Sequence, residues 1–400
     1  MKNVLLLGRS DSLFIRDFCT EVLDEEGVKV TILSQYYSDR YLSSYQKNNV
    51  NIINWPDALV RGIMKNISFR HLIEYISCIR KVNREIVLKN GVDVIFVHYV
   101  DPVSLLYFYM PWRKAQKRIL VFWGSDILRV SDRKVKLLRL FFKQSTAIVL
   151  MIQNQYEYFQ EKVGHKYDEK VHVLDFGNSV LSRIDKINSE YSRKQCKEKF
   201  QFPENKIIVH VGYNAFKAQQ HIEMMKSITM HIRLSMAKDM KKKVKFVFHM
   251  SYGQEADFDI YMNELKDILD TNSMDYEFID TYLQDDDLAM FRRTCDVFLY
   301  GNKTDALSAS PLEYIYAGAM FVCPKWLQSN YNLLNEGNIP HYVYDNFDEL
   351  GNVFSKCLME YDEKAVSDDE FENIDSKGRK IIRDTISWES LAPKWRSLYE

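Results

Sequence analysis

The sequence contains few glycines, prolines and cysteines. Only 14 of its 400 residues are glycine and 8 are proline, which leaves no room for a long low-complexity segment or a flexible linker array. The six cysteines are scattered without a C-x-x-C pair, so neither a zinc cage nor a disulfide framework is expected, and a reducing cytoplasm is the default compartment. No apolar run approaches the roughly 20 residues that span a bilayer, and no signal-peptide pattern is visible. We therefore expect a compact, soluble protein.

The charge is nearly balanced overall but unevenly distributed. The formal net charge is -1, yet residues 51–150 contain 17 Lys and Arg against 7 Asp and Glu. Aromatic residues are interleaved with these cations, as in Trp112-Arg113-Lys114. This mixture is typical of a surface that meets an anionic bilayer, where each nearby cation adds roughly 1 kcal/mol. A solvated face without a partner is the alternative.

Apolar runs that resemble strands alternate with longer amphipathic stretches. This alternation is typical of βαβ units with parallel sheets, and it occurs twice. Each half opens with a strand that runs into a glycine, Gly8 in the first and Gly212 in the second. Two doubly wound, Rossmann-like α/β domains are therefore predicted, and the 46% of hydrophobic residues is ample for two cores. The predicted boundaries are 1–185 for the first domain, 186–205 for a linker, 206–375 for the second domain and 376–400 for C-terminal crossover helices.

Apolar residues recur at helical spacing near the C-terminus, among them Trp388, Leu391 and Trp395. Two tryptophans on one face of a helix need a surface to cover. Because the second domain already has its strands and helices, we expect this segment to pack back towards the first domain.

The segment 296–318 predicts a strand, a polar loop and a helix that Ser310 and Pro311 open. Loop amides beside a helix N-terminus bind anions, and the carboxylates of Asp305 and Glu313 can accept hydrogen bonds from sugar hydroxyls, which suits a nucleotide sugar. On spacing alone, a capping role for Asp305 and a solvated Glu313 are equally good interpretations. The D-D-D at 285–287 is expected at a helix N-terminus, not at a metal.

The same segment resembles the signature of the retaining GT-B glycosyltransferases, above all glycosyltransferase family 4. In that family two acids separated by seven residues precede an A-x-G turn, which stands here as Asp305, Glu313 and the Ala317-Gly318 turn. The resemblance implies two such domains facing a cleft, with Asp305 contacting the donor sugar and Glu313 the ribose. The implied donor site also includes the loop residues Ala306, Leu307 and Ser308.

Two segments of the first half fit the same family. The strand in V-D-V-I-F-V-H-Y-V ends at His98, and V-F-W-G-S-D is similar to the family's H-G-x-D loop, with Trp123 in place of the histidine. The resemblance implies that His98 and Asp126 act on the acceptor side. From the residues alone, His98 as a satisfied strand-end histidine and Asp126 as a plain N-cap stay open.

The segment V-H-V-G-Y-N-A-F-K-A-Q-Q-H looks like the strand, glycine turn and helix that hold the diphosphate in these enzymes. Gly212 would admit a close backbone approach, Lys217 would neutralise the diphosphate, and Asn214 and His221 would donate hydrogen bonds. Tyr213 stands where the family has an arginine, and the variant is also weakly similar to polyprenyl-linked fucosamine transferases. A surface lysine and a helix-capping histidine are the alternative.

The resemblance implies a glycosyltransferase that moves a sugar from a nucleoside diphosphate sugar to a glycan or polyprenyl-diphosphate-linked acceptor. It further implies retention of configuration, no catalytic metal and no cofactor, in surface polysaccharide (capsule or O-antigen) biosynthesis. The excess of basic residues over 51–150 points to peripheral association with the inner face of a bacterial membrane. No nucleic acid partner is expected. A nonhydrolysing sugar-nucleotide epimerase of the same fold and a catalytically inactive interaction protein are the alternatives. The predicted catalytic residues are Asp305, Lys217, His98 and Asp126.

Overall fold

The chain folds into two compact units. The computed structural model describes residues 1–34, 39–54, 91–101, 105, 109–128, 131–234, 238–304, 308–328, 332–367 and 372–400. The first unit consists of Met1–Gly177 together with Trp388–Glu400, and the second consists of Asn178–Ser387. The chain passes from the first unit to the second after Gly177 and returns after Ser387, whereas the predicted boundaries were 185 and 376.

A seven-stranded parallel sheet forms the centre of the first unit. Its strands are β1 (Lys2–Gly8), β2 (Val28–Ser34), β3 (Asn51–Asn54), β4 (Val94–His98), β5 (Lys117–Phe122), β6 (Ala147–Leu150) and β7 (Val171–Val173). They lie in the order β3-β2-β1-β4-β5-β6-β7. The strand order reverses between β1 and β4, and ligands of open parallel sheets bind at the carboxyl ends beside such a reversal.

Helices cover both faces of this sheet, so its central strands are buried on both sides and are continuously apolar. The first-unit helices are α1 (Leu13–Asp17), α2 (Leu42–Lys47), α3 (Tyr109–Lys114), α4 (Ser125–Leu128), α5 (Asp132–Gln144) and α6 (Gln153–Val163). The described residues of this unit also form a π-helical turn at Phe18–Val22 and a 3-10 helix at His165–Lys170.

The second unit has a six-stranded parallel sheet in the order β10-β9-β8-β11-β12-β13. Its strands are β8 (Ile207–Val211), β9 (Val244–His249), β10 (Tyr276–Ile279), β11 (Val297–Leu299), β12 (Met320–Pro324) and β13 (His341–Tyr344). Its helices are α7 (Val180–Glu190), α8 (Arg193–Lys199), α9 (His221–Leu234), α10 (Lys238–Lys243), α11 (Phe258–Thr271), α12 (Asp285–Arg293), α13 (Ala309–Tyr316), α14 (Lys325–Gln328), α15 (Asn332–Glu336), α16 (Phe347–Ser367) and α17 (Ser376–Ile386). The order reverses between β8 and β11.

The segment 186–205, expected to be a linker, is instead part of the second unit. It contains the end of α7 and all of α8, which begins with a capping box at Ser192. Arg193 and Lys197 are buried on Asp296, with N–O distances of 3.1 and 2.7 Å. This polar segment can be buried because Asp296, about a hundred residues further along the chain, neutralises its two buried cations.

The last helix, α18 (Trp388–Arg396), belongs to the first unit, as the apolar spacing predicted. Trp395 is fully buried, its ring centroid lies 5.1 Å from that of Phe18, and its Nε1 donates to the Asp175 carbonyl at 3.0 Å. Trp388 packs directly on the backbone of Gly177, where an added Cβ would lie 2.2 Å from the indole ring. The chain therefore returns to complete the core of the first unit.

In the described part of the chain, no helix combines the length and apolar character that crossing a membrane requires.

Candidate functional site

The carboxyl ends of β8, β9 and β11 meet at one edge of the second sheet, and the predicted phosphate loop begins there. Gly212 follows β8 with φ +63°, the left-handed region that favours glycine. A Cβ at this position would lie 2.6 Å from His221 Nε2, so the ring of His221 already lies against the glycine. The approach of a diphosphate to this backbone stays a prediction.

His221 is fully buried at the start of α9, which rules out a solvent-exposed capping role. Its Nδ1 shares a hydrogen bond of 3.0 Å with the Tyr261 hydroxyl, whereas Nε2 has no partner among the described residues. Burial lowers the pKa of His221 to about 3, so the ring is neutral at physiological pH. It can offer a hydrogen bond to a ligand from Nε2, but no charge.

Lys217 lies beside this pair in a 3-10 turn, Lys217–Gln219. Its ammonium forms an ion pair with Asp257 and lies 5.8 Å from the centre of the Tyr261 ring. The pair lowers the pKa of Asp257. The cation predicted for the diphosphate is thus present next to Gly212 and His221, but a carboxylate of the protein neutralises it.

Asn214 shapes the loop between these residues. It is buried, and its Oδ1 accepts a hydrogen bond of 3.0 Å from the Phe216 amide. The neighbouring Ala215 amide donates to the Tyr252 carbonyl at 2.8 Å. Asn214 therefore fixes the shape of the turn that follows Gly212.

Glu313 lies on α13 and is only 6% exposed, which contradicts its interpretation as a solvated helix residue. Its Oε1 accepts from Asn178 Nδ2 at 3.0 Å, and its Oε2 accepts from Arg292 Nε at 2.9 Å. Each carboxylate oxygen has a second lone pair, so both can still accept from a ligand hydroxyl. A buried carboxylate held by two donors on separate segments has a fixed orientation.

Arg292, on α12, is a residue of this site that was not predicted from the sequence. It is buried, its guanidinium lies 4.2 Å from the centre of the Tyr314 ring, and Nη1 has no hydrogen-bond partner among the described residues. Burial disfavours its charge, but the interactions with Tyr314 and Glu313 outweigh this effect and raise the pKa of Arg292. The sequence does contain a signal for it: the helix that begins at the D-D-D of 285–287 ends in two arginines, Arg292 and Arg293. The sequence analysis considered only the capping role of the aspartates in this helix.

The loop residues that precede α13 lie partly outside the described residues. This applies to Asp305, Ala306 and Leu307, whose predicted roles stay predictions. Ser308 is described, and its hydroxyl donates to the Tyr213 hydroxyl at 3.1 Å. Tyr213, which stands where the family has an arginine, therefore ties the phosphate loop to the loop of the acidic motif.

At the carboxyl end of β4 in the first unit, His98 is buried in an aromatic cluster. The ring centroids of Phe18, Phe176 and Trp123 lie 4.9, 5.6 and 6.1 Å from that of His98. Neither ring nitrogen has a partner in the described structure, which contradicts the interpretation as a satisfied histidine. Burial lowers the pKa of His98 to about 3. His98 is therefore a neutral group with unused hydrogen-bonding capacity.

Asp126 lies near His98, since it follows the next strand of the sheet. Its Oδ1 accepts from the amides of Trp123 and Gly124 at 2.8 and 2.9 Å, and its Oδ2 accepts from the Val100 amide at 2.8 Å. Burial raises its pKa to about 6 against the opposing effect of these amides. The carboxylate thus joins the loops after β4 and β5, whereas the N-cap interpretation involves only its own helix. Its role towards an acceptor stays a prediction.

The predicted membrane-facing aromatic is a core residue. Trp112 is fully buried, its ring centroid lies 5.7 Å from that of Phe141, and its Nε1 donates to Gln144 Oε1 at 3.1 Å. It is buried because α3 places it against α5. Arg113 and Lys114 are exposed, so the basic residues of this segment lie at the surface without that tryptophan.

A protein family model matches the first part of the chain. Residues 3–153 match the model of the family described as glycosyl transferase 4-like. A search of curated proteins finds no match. The match confirms the predicted resemblance to glycosyltransferases and supports an enzyme of that class.

Solved structures of glycosyltransferases share the fold over the whole chain. A glycosyltransferase from Rickettsia africae is 13% identical with a TM-score of 0.73, covering 100% of this chain and 97% of its own. Anabaena HepE, solved with UDP and glucose, is 14% identical with a TM-score of 0.65 and covers 99% of both chains. Sucrose-phosphate synthase from Thermosynechococcus elongatus is 11% identical with a TM-score of 0.66, covering 100% of this chain and 98% of its own. The predicted GT-B fold, with two Rossmann-like domains, is confirmed.

Among the described residues, no group of three or more His, Cys, Asp or Glu side chains is arranged to hold a metal ion. The prediction of metal-independent catalysis concerns the reaction itself and stays a prediction.

Proposed function

We propose that the protein transfers a sugar from a nucleoside diphosphate sugar that binds at the carboxyl edge of the second sheet. The observation that carries the proposal is the buried Glu313 carboxylate, which Asn178 and Arg292 orient beside the strand-order reversal. A fixed acceptor at this place suits the ribose hydroxyls of a nucleotide. Because HepE is solved with UDP-glucose, a UDP-sugar is the first donor to test.

In this proposal the diphosphate lies against the Gly212 turn and takes Lys217 from Asp257. The exchange is feasible because Lys217 is about one third exposed and Asp257 about one half exposed, so both groups are near solvent. Negative charge grows on the leaving diphosphate in the transition state, where Lys217 and the loop amides stabilise it. Asn214 and His221 Nε2 supply neutral hydrogen bonds on the same side, and Asp305 contacts the donor sugar.

Retention without a metal follows the resemblance: the departing phosphate takes the proton of the attacking acceptor hydroxyl, and no separate general base is needed. We propose that the acceptor is a glycan or a polyprenyl-diphosphate-linked sugar bound by the first unit, near His98 and Asp126. The excess of basic residues over 51–150 supports peripheral association with an anionic membrane and a role in bacterial surface polysaccharide synthesis. An acceptor like that of the polyprenyl-linked fucosamine transferases, suggested by the weaker similarity, stays a prediction.

The donor site is tested by titrating UDP-glucose and other nucleotide sugars into the full chain and into Glu313→Gln. The variant removes the charge but keeps the shape, and loss of a hydrogen bond to a buried charged acceptor costs about 1.5 to 3 kcal/mol, which is roughly a 10- to 150-fold weaker affinity. Glu336→Gln, an exposed residue on α15, is the matched control and should bind as the native chain does. Equal affinity for every nucleotide sugar in both variants would refute the donor site.

The alternatives give different products. Incubation with donor alone followed by NMR of the sugar distinguishes an epimerase, which inverts a ring carbon, from a transferase, which leaves the donor intact or slowly hydrolyses it. The configuration of the transferred sugar reports retention, and activity in EDTA reports metal independence. An inactive interaction protein would neither bind donor nor change it.

A further inference from the structure

A basic pocket lies in the first unit, at the sheet edge opposite to His98 and Asp126. It has a volume of about 650 Å³ and is lined by Arg113, Arg118, Lys143 and Lys170 together with the turn 144–146. β5 begins at Lys117 and β6 at Ala147, so the pocket lies at the amino ends of these strands. His98 and Asp126 instead lie at the carboxyl ends of β4 and β5.

The pocket combines four cations with no carboxylate in its lining. Some other cations of the first unit are paired, as in the buried ion pair of Arg16 with Asp17. By contrast, Arg118, Lys143 and Lys170 form no ion pair within the described part of the chain. The Nε of Arg118 is buried and also lacks a hydrogen-bond partner there. Like charges gathered in this way repel one another unless an anion lies between them.

Lys170 holds its charge at a fixed place in this pocket. Its Nζ donates to the carbonyls of Phe142, Lys143 and Ser145 at 3.4, 3.0 and 2.9 Å, which uses all three ammonium protons at the C-terminus of α5. Burial and the nearby Arg118 guanidinium lower the pKa of Lys170. The ammonium is thus pre-positioned, and an anion bound there would not have to order a flexible chain.

One neutral donor is added by Gln144. Its Oε1 accepts from Trp112 Nε1, so its amide nitrogen is left as a donor that meets no protein acceptor in the described structure. The Arg118 guanidinium, the Lys143 ammonium and this amide nitrogen can donate to the oxygens of a phosphate, because Arg can bind two oxygens at once. Lys170, whose protons are already used, adds its positive charge.

We propose that this pocket is a binding site for a phosphate-bearing anion, held by Arg118, Lys143 and Lys170 and larger than inorganic phosphate. The site does not depend on the proposed donor site, which belongs to the second unit. Phosphate groups reach such a pocket either as a small soluble molecule or as the headgroup of an anionic lipid. The two sources share the same recognition chemistry.

The test uses the full chain and the double variant Arg118→Gln/Lys143→Gln. The matched control is Lys47→Gln/Lys166→Gln, which removes the same charge from exposed positions of the first unit outside both the pocket lining and residues 51–150. Inorganic phosphate and pyrophosphate are titrated by calorimetry, and vesicles of phosphatidylcholine with and without phosphatidylglycerol are assayed by co-sedimentation. UDP-glucose binding is measured in all three proteins so that a damaged donor site is recognised.

We expect the pocket variant to bind pyrophosphate or phosphatidylglycerol vesicles at least tenfold more weakly, with the control within twofold of the native chain and UDP-glucose affinity unchanged. Loss confined to the small anions identifies a soluble phosphate ligand, and loss confined to the vesicles identifies a lipid headgroup. The proposal is overturned if neither probe binds the native chain, or if pocket and control variants bind both probes equally. Lys143→Gln alone, an exposed position, repeats the comparison if the double variant unfolds.

Discussion

The ion pair between Arg292 and Glu313 gives the sharpest prediction of this structure. Both side chains are less than 10% exposed, and Arg292 also covers the Tyr314 ring. Substitution of Arg292 by leucine keeps the apolar packing but leaves a buried carboxylate that retains the neutral donor Asn178 and loses its cation. Removing one partner of a buried pair typically costs 3 to 5 kcal/mol. The retained Asn178 hydrogen bond places Arg292→Leu near the low end, at about 3 kcal/mol.

This cost is measurable as a shift in melting temperature. For a domain of about 200 residues each kcal/mol corresponds to roughly 2 to 4 °C, so we expect the transition of the second unit to fall by about 6 to 12 °C. Arg183→Leu is the control, because Arg183 pairs with Asp285 and Asp286 at the surface, where ion pairs contribute about 0 to 1 kcal/mol. Differential scanning calorimetry with and without UDP measures both variants.

The double variant Arg292→Leu/Glu313→Leu separates the pair from general damage to the core. Because it removes both charges together, we expect it to be more stable than Arg292→Leu alone while binding UDP no better. If Arg292→Leu and Arg183→Leu lowered the melting temperature equally, or if the double variant were simply the sum of the single ones, the buried pair could not be the element that orients Glu313.

Three single residues give further predictions. Lys217→Ala should reduce kcat more than it raises KM, since diphosphate charge grows in the transition state; unchanged turnover at saturating donor would show that Lys217 serves only Asp257. Asp126 should titrate near pH 6 in carboxyl-carbon NMR. Because this folded-state pKa lies above the ordinary 3.8, the contribution of Asp126 to the free energy of unfolding falls as pH rises from about 4 to 6. Asp126→Asn should abolish this pH dependence. Gly177→Ala should displace Trp388 and destabilise the first unit by about 1 to 3 kcal/mol; an unchanged urea midpoint would contradict this packing.

The sequence predicted well the features that depend on local pattern. Continuous apolar runs predicted β4 and β8 because strands buried on both faces show no alternation. The glycine at the end of β8 and the acid on α13 were found because turn and helix chemistry is readable over a few residues.

The features that the sequence could not show depend on partners that are distant along the chain. Glu313 and Arg292 are 21 positions apart, and Lys217 and Asp257 are 40 apart, so no spacing rule joins them. The helix α8 looked like linker because its two buried cations meet Asp296, which lies about a hundred positions away. Trp112 looked like a surface residue because cations come directly after it, although its own neighbours are Phe141 and Gln144.

The return of the chain to the first unit has a consequence for biosynthesis. Residues 178–387 are contiguous and contain the six strands of the second sheet, so the whole second unit is synthesised before residues 388–400. The first unit, although its synthesis begins first, lacks Trp388, Leu391 and Trp395 of its core until after the second unit has been made. We therefore expect the core of the first unit to be completed after the second unit is available to fold, in contrast to the usual amino-to-carboxyl order. A first unit expressed by itself should need residues 388–400 attached through a short tether.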